Sequence, residues 1–322
     1  MKPGGKASQT VKVRTDLDRE EVSFAAGAKT PGLRLDSALV ARFPGYSRTH
    51  FQKLIRSGEI IVNGSPAKPS QKVLPGDRVT IFLTRAGRRP EEIPLDVIYE
   101  DEALLAINKP PGIVVHPARG HLSGTVFNGL LRYFAGPLAA DADFHFGFAH
   151  RLDEDTSGVL LIVKGLDAHK RLTFQFEHRL TAKEYTAVVH GVPDFTERVI
   201  DLPLGAHKEI EKKIGVRYDI GKEAVTCVRV EERLREAAVV RARPKTGRSH
   251  QIRVHLAEMG HPIVGDTRYG GRTAREDGVP LISRQALHSA ALEFEHPATG
   301  RKLKITADLP ADMRELIEKL RG

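Results

Sequence analysis

The chain has 322 residues, 40% hydrophobic and 28% charged, with a formal net charge of +9 and a pI near 9.6. That length exceeds one ordinary domain, the composition is that of a soluble globular protein, and the basic surplus favours a polyanionic partner, nucleic acid ahead of a membrane surface. No run approaches the roughly 18 apolar residues of a membrane span, "MKPGGKASQTVKVRTDLDRE" lacks the apolar core of a secretory signal, and the single Cys227 rules out an intrachain disulfide or a thiolate metal cage, so a cytoplasmic protein is expected.

Residues 1–30 are polar and aperiodic, which predicts a flexible tail. Residues 31–84 read as a small α+β unit. "LRLDSALVARF" places Leu35, Leu39 and Phe43 on one helical face. "SRTHFQKLIRSG" opens at a Ser that can cap a helix, turns Phe51, Leu54 and Ile55 inward, and stops at Gly58. "EIIVNG" is a short strand into an Asn-Gly turn, and "LPGDRVTIF" adds a Pro-Gly turn and a further strand. Between positions 33 and 84 stand eight Lys or Arg against three Asp or Glu. Arg48, Lys53 and Arg56 flank the second helix, where they can meet phosphates. This order of elements resembles the small RNA-binding domain of small-subunit ribosomal protein four.

"TRAGRRPEEIP" breaks the apolar pattern, and residues 85–94 are read as a linker. Residues 95–322 form a larger unit. Strand-like runs are "DVIYE", "ALLAINK", "GIVVH", "GVLLIVK", "EYTAVVHG", "AVTCVRVEE" and "AAVVRARP". Helical patterns fall at 124–134, 167–179 and 249–259, and "LPADMRELIEKL" carries a closing amphipathic stripe. Successive strands without intervening helices exclude a repeating parallel βαβ fold. A mixed, largely antiparallel α+β sheet is expected.

Four segments could carry chemistry. In "HRLDEDTSG" (150–158), Asp153, Asp155 and Ser157 mimic the start of a calcium loop, but position twelve is Lys164 rather than Glu and a strand follows. No "HExxH", "GxxxxGK[ST]" or "GxGxxG" pattern offers zinc or a nucleotide a place, so neither metal nor cofactor is expected. Asp153 follows Leu152 towards an apolar wall, where a carboxylate stays ionised only beside a cation from elsewhere in the chain. Taken alone, the stretch is equally a charged turn ahead of a buried strand. "PKTGRSHQIRVHLAEMGHPIVGDTRYG" (244–270) is dense in cations and imidazoles. His250 and Arg253 share a helical face, and Lys245 and Arg248 precede a helix start that favours anions. "AINKPPGIVVHP" reads as a hairpin. In "KEYTAVV", Lys183 and Tyr185 share one face of a strand.

"NKPPGIVVHP", "HRLDEDTSG", "KEY" and "TGRSHQIRVHLAEMGHPIVGD" stand in the order that resembles the Rlu-type ribosomal pseudouridine synthases. The resemblance covers residues 33–306, and "IPLDVIYEDEALLAINKP" looks most like the large-subunit members of subfamily D. It implies isomerisation of uridine to pseudouridine in large-subunit ribosomal RNA, with a pre-ribosomal particle as a possible substrate and a monomeric enzyme. It also implies that Asp153 is the catalytic carboxylate, that Arg253 pairs with it, and that Tyr185 packs on uracil and shuttles a proton. Arg151 would fill the space left by the extruded base, and Lys109, Lys183, Lys245, Arg248 and His250 would contact phosphate or base. The reaction conserves atoms and needs no cofactor. Attack at C1′ and another sugar-centred pathway stay open. A non-catalytic RNA-binding factor and a glycoside-cleaving enzyme are the alternatives; the first has no use for this residue set and the second lacks a second carboxylate.

Overall fold

The structure, a computed structural model, describes residues 12–15, 19–26, 32–43, 48–84, 89–118, 121–135, 146–211, 213–272, 274–276 and 279–321. The chain divides into two compact units, one of residues 1–89 with 118–123, the other of residues 90–117 with 124–322.

The smaller unit contains β1 (Lys12–Thr15), β2 (Arg19–Ala25), α1 (Leu35–Arg42), α2 (Arg48–Arg56), β3 (Ile60–Val62), β4 (Ser65–Pro66) and β5 (Arg78–Thr84), with the sheet ordered β1-β2-β5-β3-β4. Leu35, Leu39, Phe51 and Ile55 of the helices pack on Ile60, Val62, Val79 and Ile81 of the sheet. Asn63 and Gly64 both hold positive φ, 51° and 79°, as a two-residue hairpin turn between β3 and β4 requires. The expected tail is corrected here: β2 pairs along its length with β5, and Phe24 enters the core. The run "REEVSFA" offers only Val22 and Phe24 as large apolar alternates, too short a period to stand out in the sequence. Asp36 is fully buried and accepts from Arg34, Arg48 and Gln52.

The larger unit is a mixed α+β structure. Its elements are β6 (Val97–Glu100), β7 (Leu104–Lys109), α3 (Val126–Tyr133), β8 (Phe146–Phe148), β9 (Ser157–Lys164), α4 (Leu166–Glu177), β10 (Ala182–His190), β11 (Glu197–Asp201), β12 (Leu204–Ala206), β13 (Ile214–Val216), β14 (Val225–Arg233), β15 (Ala237–Pro244), α5 (Gln251–Glu258), β16 (Arg275–Glu276), β17 (Val279–Pro280), β18 (Leu287–Glu295), β19 (Lys302–Thr306) and α6 (Ala311–Arg321). The main sheet runs β11-β14-β15-β10-β18-β9-β7-β6, with β19 on β18 and β8 on β9. Its pairs are antiparallel except β9 with β18, where His288 lies beside Ser157.

β9 is central, so it is apolar on both faces rather than alternating. Val159, Leu161 and Val163 pack under Leu172 and Phe176 of α4, while Leu160 and Ile162 pack with Val126 and Leu130 of α3. Gly158 has φ +106°, and a Cβ there would collide with the Ser289 backbone, so glycine alone lets β9 and β18 approach. The strand expected at "GIVVH" is absent. Residues 111–117 form no strand, only a turn and a bend, and Val126 and Phe127 donate to the carbonyls of Val114 and Val115. α3 thus takes the backbone bonds a hairpin partner would have used. Of the expected linker, 85–88 lie outside the described residues, and Ile93 packs against Gly129 of α3.

Candidate active site

A cavity of about 550 Å³ opens where the loop before β9, the end of α4, the start of β10 and residues 244–253 converge. The loop is fixed from beneath. Leu152 is buried, and Thr156 N–H donates to the Asp153 carbonyl at 3.1 Å, closing a turn. Lys109 Nζ donates to the Glu154 carbonyl at 2.7 Å, and also to the carbonyls of Pro110 (2.7 Å) and Ile113 (3.0 Å). Arg284 donates to the Asp155 carbonyl at 3.0 Å, its charge balanced by a two-pronged pair with Asp312 of α6 at 2.7 and 2.9 Å. Two buried cations therefore hold consecutive carbonyls of the turn, which leaves the Asp153 side chain as the part free to face the cavity.

This corrects the expected place of Lys109. It is 0% exposed and serves the turn, so it is not available to RNA. Burial pushes its ammonium down to about 7, although Asp155 acts the other way. The strand–turn context of "NKPPG" showed that the lysine ends a strand; it could not show which carbonyls the ammonium would find.

Asp153 retains 22% side-chain exposure. Arg253 Nη1 donates to its Oδ2 at 3.1 Å, leaving Oδ1 free of that bond. Arg253 is itself gripped by Asp266, Nε to Oδ2 at 2.6 Å and Nη2 to Oδ1 at 2.8 Å, and its guanidinium lies 5.1 Å from the Tyr269 ring centroid. Burial disfavours the guanidinium charge, but Asp266 and then Asp153 more than offset this and raise its pKa. A second carboxylate orienting the arginine escaped the sequence reading. Asp266 lies within the quoted "VGD", yet nothing in the spacing pairs it with position 253.

His250 caps α5 in the left-handed region, φ 55°. Tyr269 Oη accepts from the Ile214 N–H at 3.2 Å and is hydrogen-bonded to His250 Nδ1 at 2.6 Å. His250 Nε2 lies 3.9 Å from Asp153 Oδ1. Burial lowers its pKa, with Asp153 opposing, so the ring is neutral at pH 7. The helix begins at Gln251 rather than 249, because Gln251 Oε1 already takes the Arg248 N–H and the Thr246 hydroxyl.

Tyr185 and Lys183 both line the cavity, and Glu184 turns away to Arg243. A bulge between Glu184 and Tyr185 in the pairing with β18 helps aim the phenol. Burial pushes Tyr185 up to about 12, partly opposed by a bond with Ser289, so the phenol stays protonated. Lys183 Nζ donates to the Thr246 carbonyl at 3.2 Å, and burial, then Arg179, push it down to about 8. Arg151, Lys245 and Arg248 also line the cavity. Arg48, Lys53 and Arg56 lie in the other unit. Arg48 is committed to Asp36 at 3.0 Å, while Lys53 and Arg56 are exposed. Among the described residues no group of three metal-ligating side chains occurs. No helix among them is long and apolar enough to cross a membrane.

The arrangement is a carboxylate with one oxygen fixed and one free, beside a neutral imidazole and a protonated phenol, under a basic rim. A family model described as RNA pseudouridylate synthase matches residues 103–258, and one described as S4 domain matches residues 33–79. Ribosomal large subunit pseudouridine synthase D of Escherichia coli (strain K12) is 40% identical over 316 residues, covering 94% of this chain and 95% of that protein. The uncharacterized RNA pseudouridine synthase YlyB of Bacillus subtilis (strain 168) is 39% identical over 304 residues, covering 94% and 98%. Among solved structures, human RNA pseudouridylate synthase domain containing 4 is 27% identical with a TM-score of 0.56, covering 70% of this chain and 92% of that one.

Proposed function

The chain belongs to the RNA pseudouridylate synthase family, and on that premise we propose that it isomerises specific uridines of large-subunit ribosomal RNA with Asp153 as the catalytic carboxylate. In this reading residues 95–322 are the catalytic domain, residues 31–84 an RNA-binding domain, and the protein acts in the cytoplasm as a monomer on ribosomal RNA or a pre-ribosomal particle.

The observation that carries the reading is the half-free carboxylate at the cavity wall: Arg253 holds Oδ2 and Asp266 holds Arg253, which leaves Oδ1 outside that pair. Isomerisation breaks the bond from ribose C1′ to N1, turns the uracil and joins C1′ to C5. The proton on C5 leaves and N1 ends protonated, so atoms balance without a cofactor. A carboxylate paired with Arg253 and set beside C1′ supports the positive charge that develops there, by attack or by electrostatics. The protonated Tyr185 offers uracil an aromatic face, and its hydroxyl can pass a proton. The base must leave its stack to enter the cavity, and Arg151, Lys183, Lys245, Arg248 and His250 border the space it enters.

The test is single turnover of purified protein on large-subunit ribosomal RNA, with pseudouridine mapped by position. Wild-type protein should form product at discrete sites, and Asp153→Asn should abolish it while binding RNA normally. Product formation by Asp153→Asn at the wild-type rate would remove Asp153 from this role. Absence of product with wild type on large-subunit RNA, but not on transfer RNA, would move the substrate.

A further inference from the structure

Three described non-glycine residues hold a positive φ: Asn63, Arg179 and His250. Asn63 sits in an Asn-Gly turn where that conformation is ordinary. The other two line the same cavity. Of these, Arg179 has no part in the chemistry derived above.

α4 ends in a recognisable way. Leu180 N–H donates to the Gln175 carbonyl and Arg179 N–H to the Phe176 carbonyl, which is the paired-bond terminus that places one residue in the left-handed region. That residue is Arg179, φ 60°. The helix alone would be better served by glycine, because a Cβ strains this backbone. A long cation kept at a strained position on the edge of an active cavity marks a use for the side chain.

The side chain shows what that use is. Arg179 Nη1 and Nη2 meet Glu223 Oε1 and Oε2 at 2.9 and 2.6 Å, a parallel two-pronged contact. A guanidinium offers that same fork to two oxygens of a phosphodiester. Arg248 Nε donates to the Glu223 carbonyl at 3.0 Å, so two cavity-lining arginines converge on one residue. The Arg179 and Glu223 side chains are 45% and 55% exposed. Exposed pairs of this kind hold weakly, so a change of partner costs little.

We propose that Arg179 is a phosphodiester-binding residue on the rim of the cavity, and that the Glu223 carboxylate is the placeholder an RNA backbone phosphate displaces. The inference rests on the reading of this chain as an enzyme acting on RNA. In the exchange no covalent bond changes: Glu223 moves to solvent and the phosphate takes both N–H groups of Arg179. Until then Glu223 opposes RNA at the rim, which weakens binding of strands that do not bring a phosphate to this point.

The experiment measures filter binding of the full chain to large-subunit ribosomal RNA across a potassium chloride series, alongside thermal melting. Arg179→Gly should melt at or above the wild-type temperature, because strain is relieved, yet bind RNA about tenfold more weakly. Its salt slope should shrink by roughly 0.7 to 0.9, the loss of one phosphate contact. Glu223→Gln should bind several-fold more tightly with the slope retained. Wild-type affinity and slope in Arg179→Gly, or weaker binding by Glu223→Gln, would overturn the proposal. Pseudouridine formed by wild type with both variants binding normally defeats this inference alone. Absence of pseudouridine with the expected affinity changes defeats the catalytic reading and leaves the phosphate contact standing.

Discussion

Each compact unit buries a carboxylate against arginine, and the two put it to opposite uses. In the small unit Asp36 is 0% exposed and is ringed by Arg34, Arg48 and Gln52, none more than 16 residues away. In the large unit Asp153 meets Arg253 across 100 residues of chain, keeps 22% exposure, and borders a cavity. A closed ring of donors locks a helix pair and leaves no room for a ligand. An open pair, with one oxygen unclaimed, holds a charge where a substrate can reach it.

The widest break in this contrast comes from removing the arginines. Arg253→Met leaves Asp153 and Asp266 in a poorly solvated wall without their cation. A loss of about 3–5 kcal/mol of unfolding free energy is expected, together with loss of product. Arg48→Met leaves Asp36 with Arg34 and Gln52, and its half-exposed pair is screened, so the expected cost is below about 1 kcal/mol. Denaturant titration of both variants decides it. Equal costs would mean that the two carboxylates are supported alike.

Lys109→Met removes the donor from three carbonyls, one of them in the turn that carries Asp153. About 2–4 kcal/mol should be lost. The single-turnover rate should fall more than RNA affinity does, because the turn carrying Asp153 loosens while the rim is untouched. A variant that loses affinity and rate in equal measure would place Lys109 at the RNA after all.

Acid should separate the units. His150 accepts the Leu161 N–H at 3.0 Å, and burial, then Lys183, hold its pKa down to about 3. Burial is also the first cause lowering His250, His255 and His288. A histidine with a depressed folded pKa contributes stability that is complete above its unfolded value near 6.5 and is lost as pH falls towards the folded value. For His150 the loss is on the order of 2 kcal/mol by pH 5, and the other three add in the same direction. In the small unit the lowered groups are carboxylates, Asp36 and Asp77, held down first by the Arg34 bond and the Leu74 N–H respectively. Their contribution is present above about 4 and lost only below it. Hydrogen exchange between pH 6.5 and 4.5 should show the large unit losing protection first. The reverse order would refute the assignment of these buried imidazoles as neutral.

Legibility in the sequence follows the same division. Local signals sufficed for α2, the Asn63-Gly64 turn, β9, α4 and α6, because period, caps and turn residues act within a few positions. Asp153 and Arg253 were named through motif resemblance, whereas Asp266, Arg284 and Glu223 were not, since their partners are chosen by the parallel β9–β18 contact and by loops far along the chain. "GIVVH" has strand composition but gave its backbone bonds to α3, and β2 offered only Val22 and Phe24 as large apolar alternates. Lys109 was misplaced because burial of an ammonium depends on three carbonyls that no spacing reveals.

The smallest effect sharpens the comparison within the small unit itself. Asp36 and Arg48 lock the two helices, whereas Lys53 and Arg56 lie exposed in the last turn of α2. Replacing both with Gln should change stability by less than about 0.5 kcal/mol, since neither fills the core. RNA affinity should fall several-fold, with the salt slope reduced by up to about two phosphate contacts. The single-turnover rate at saturating RNA should hold if these cations act only on the RNA backbone. A slope equal to wild type would confine RNA contact to the large unit. A lowered maximal rate would mean that α2 positions the substrate as well as binding it.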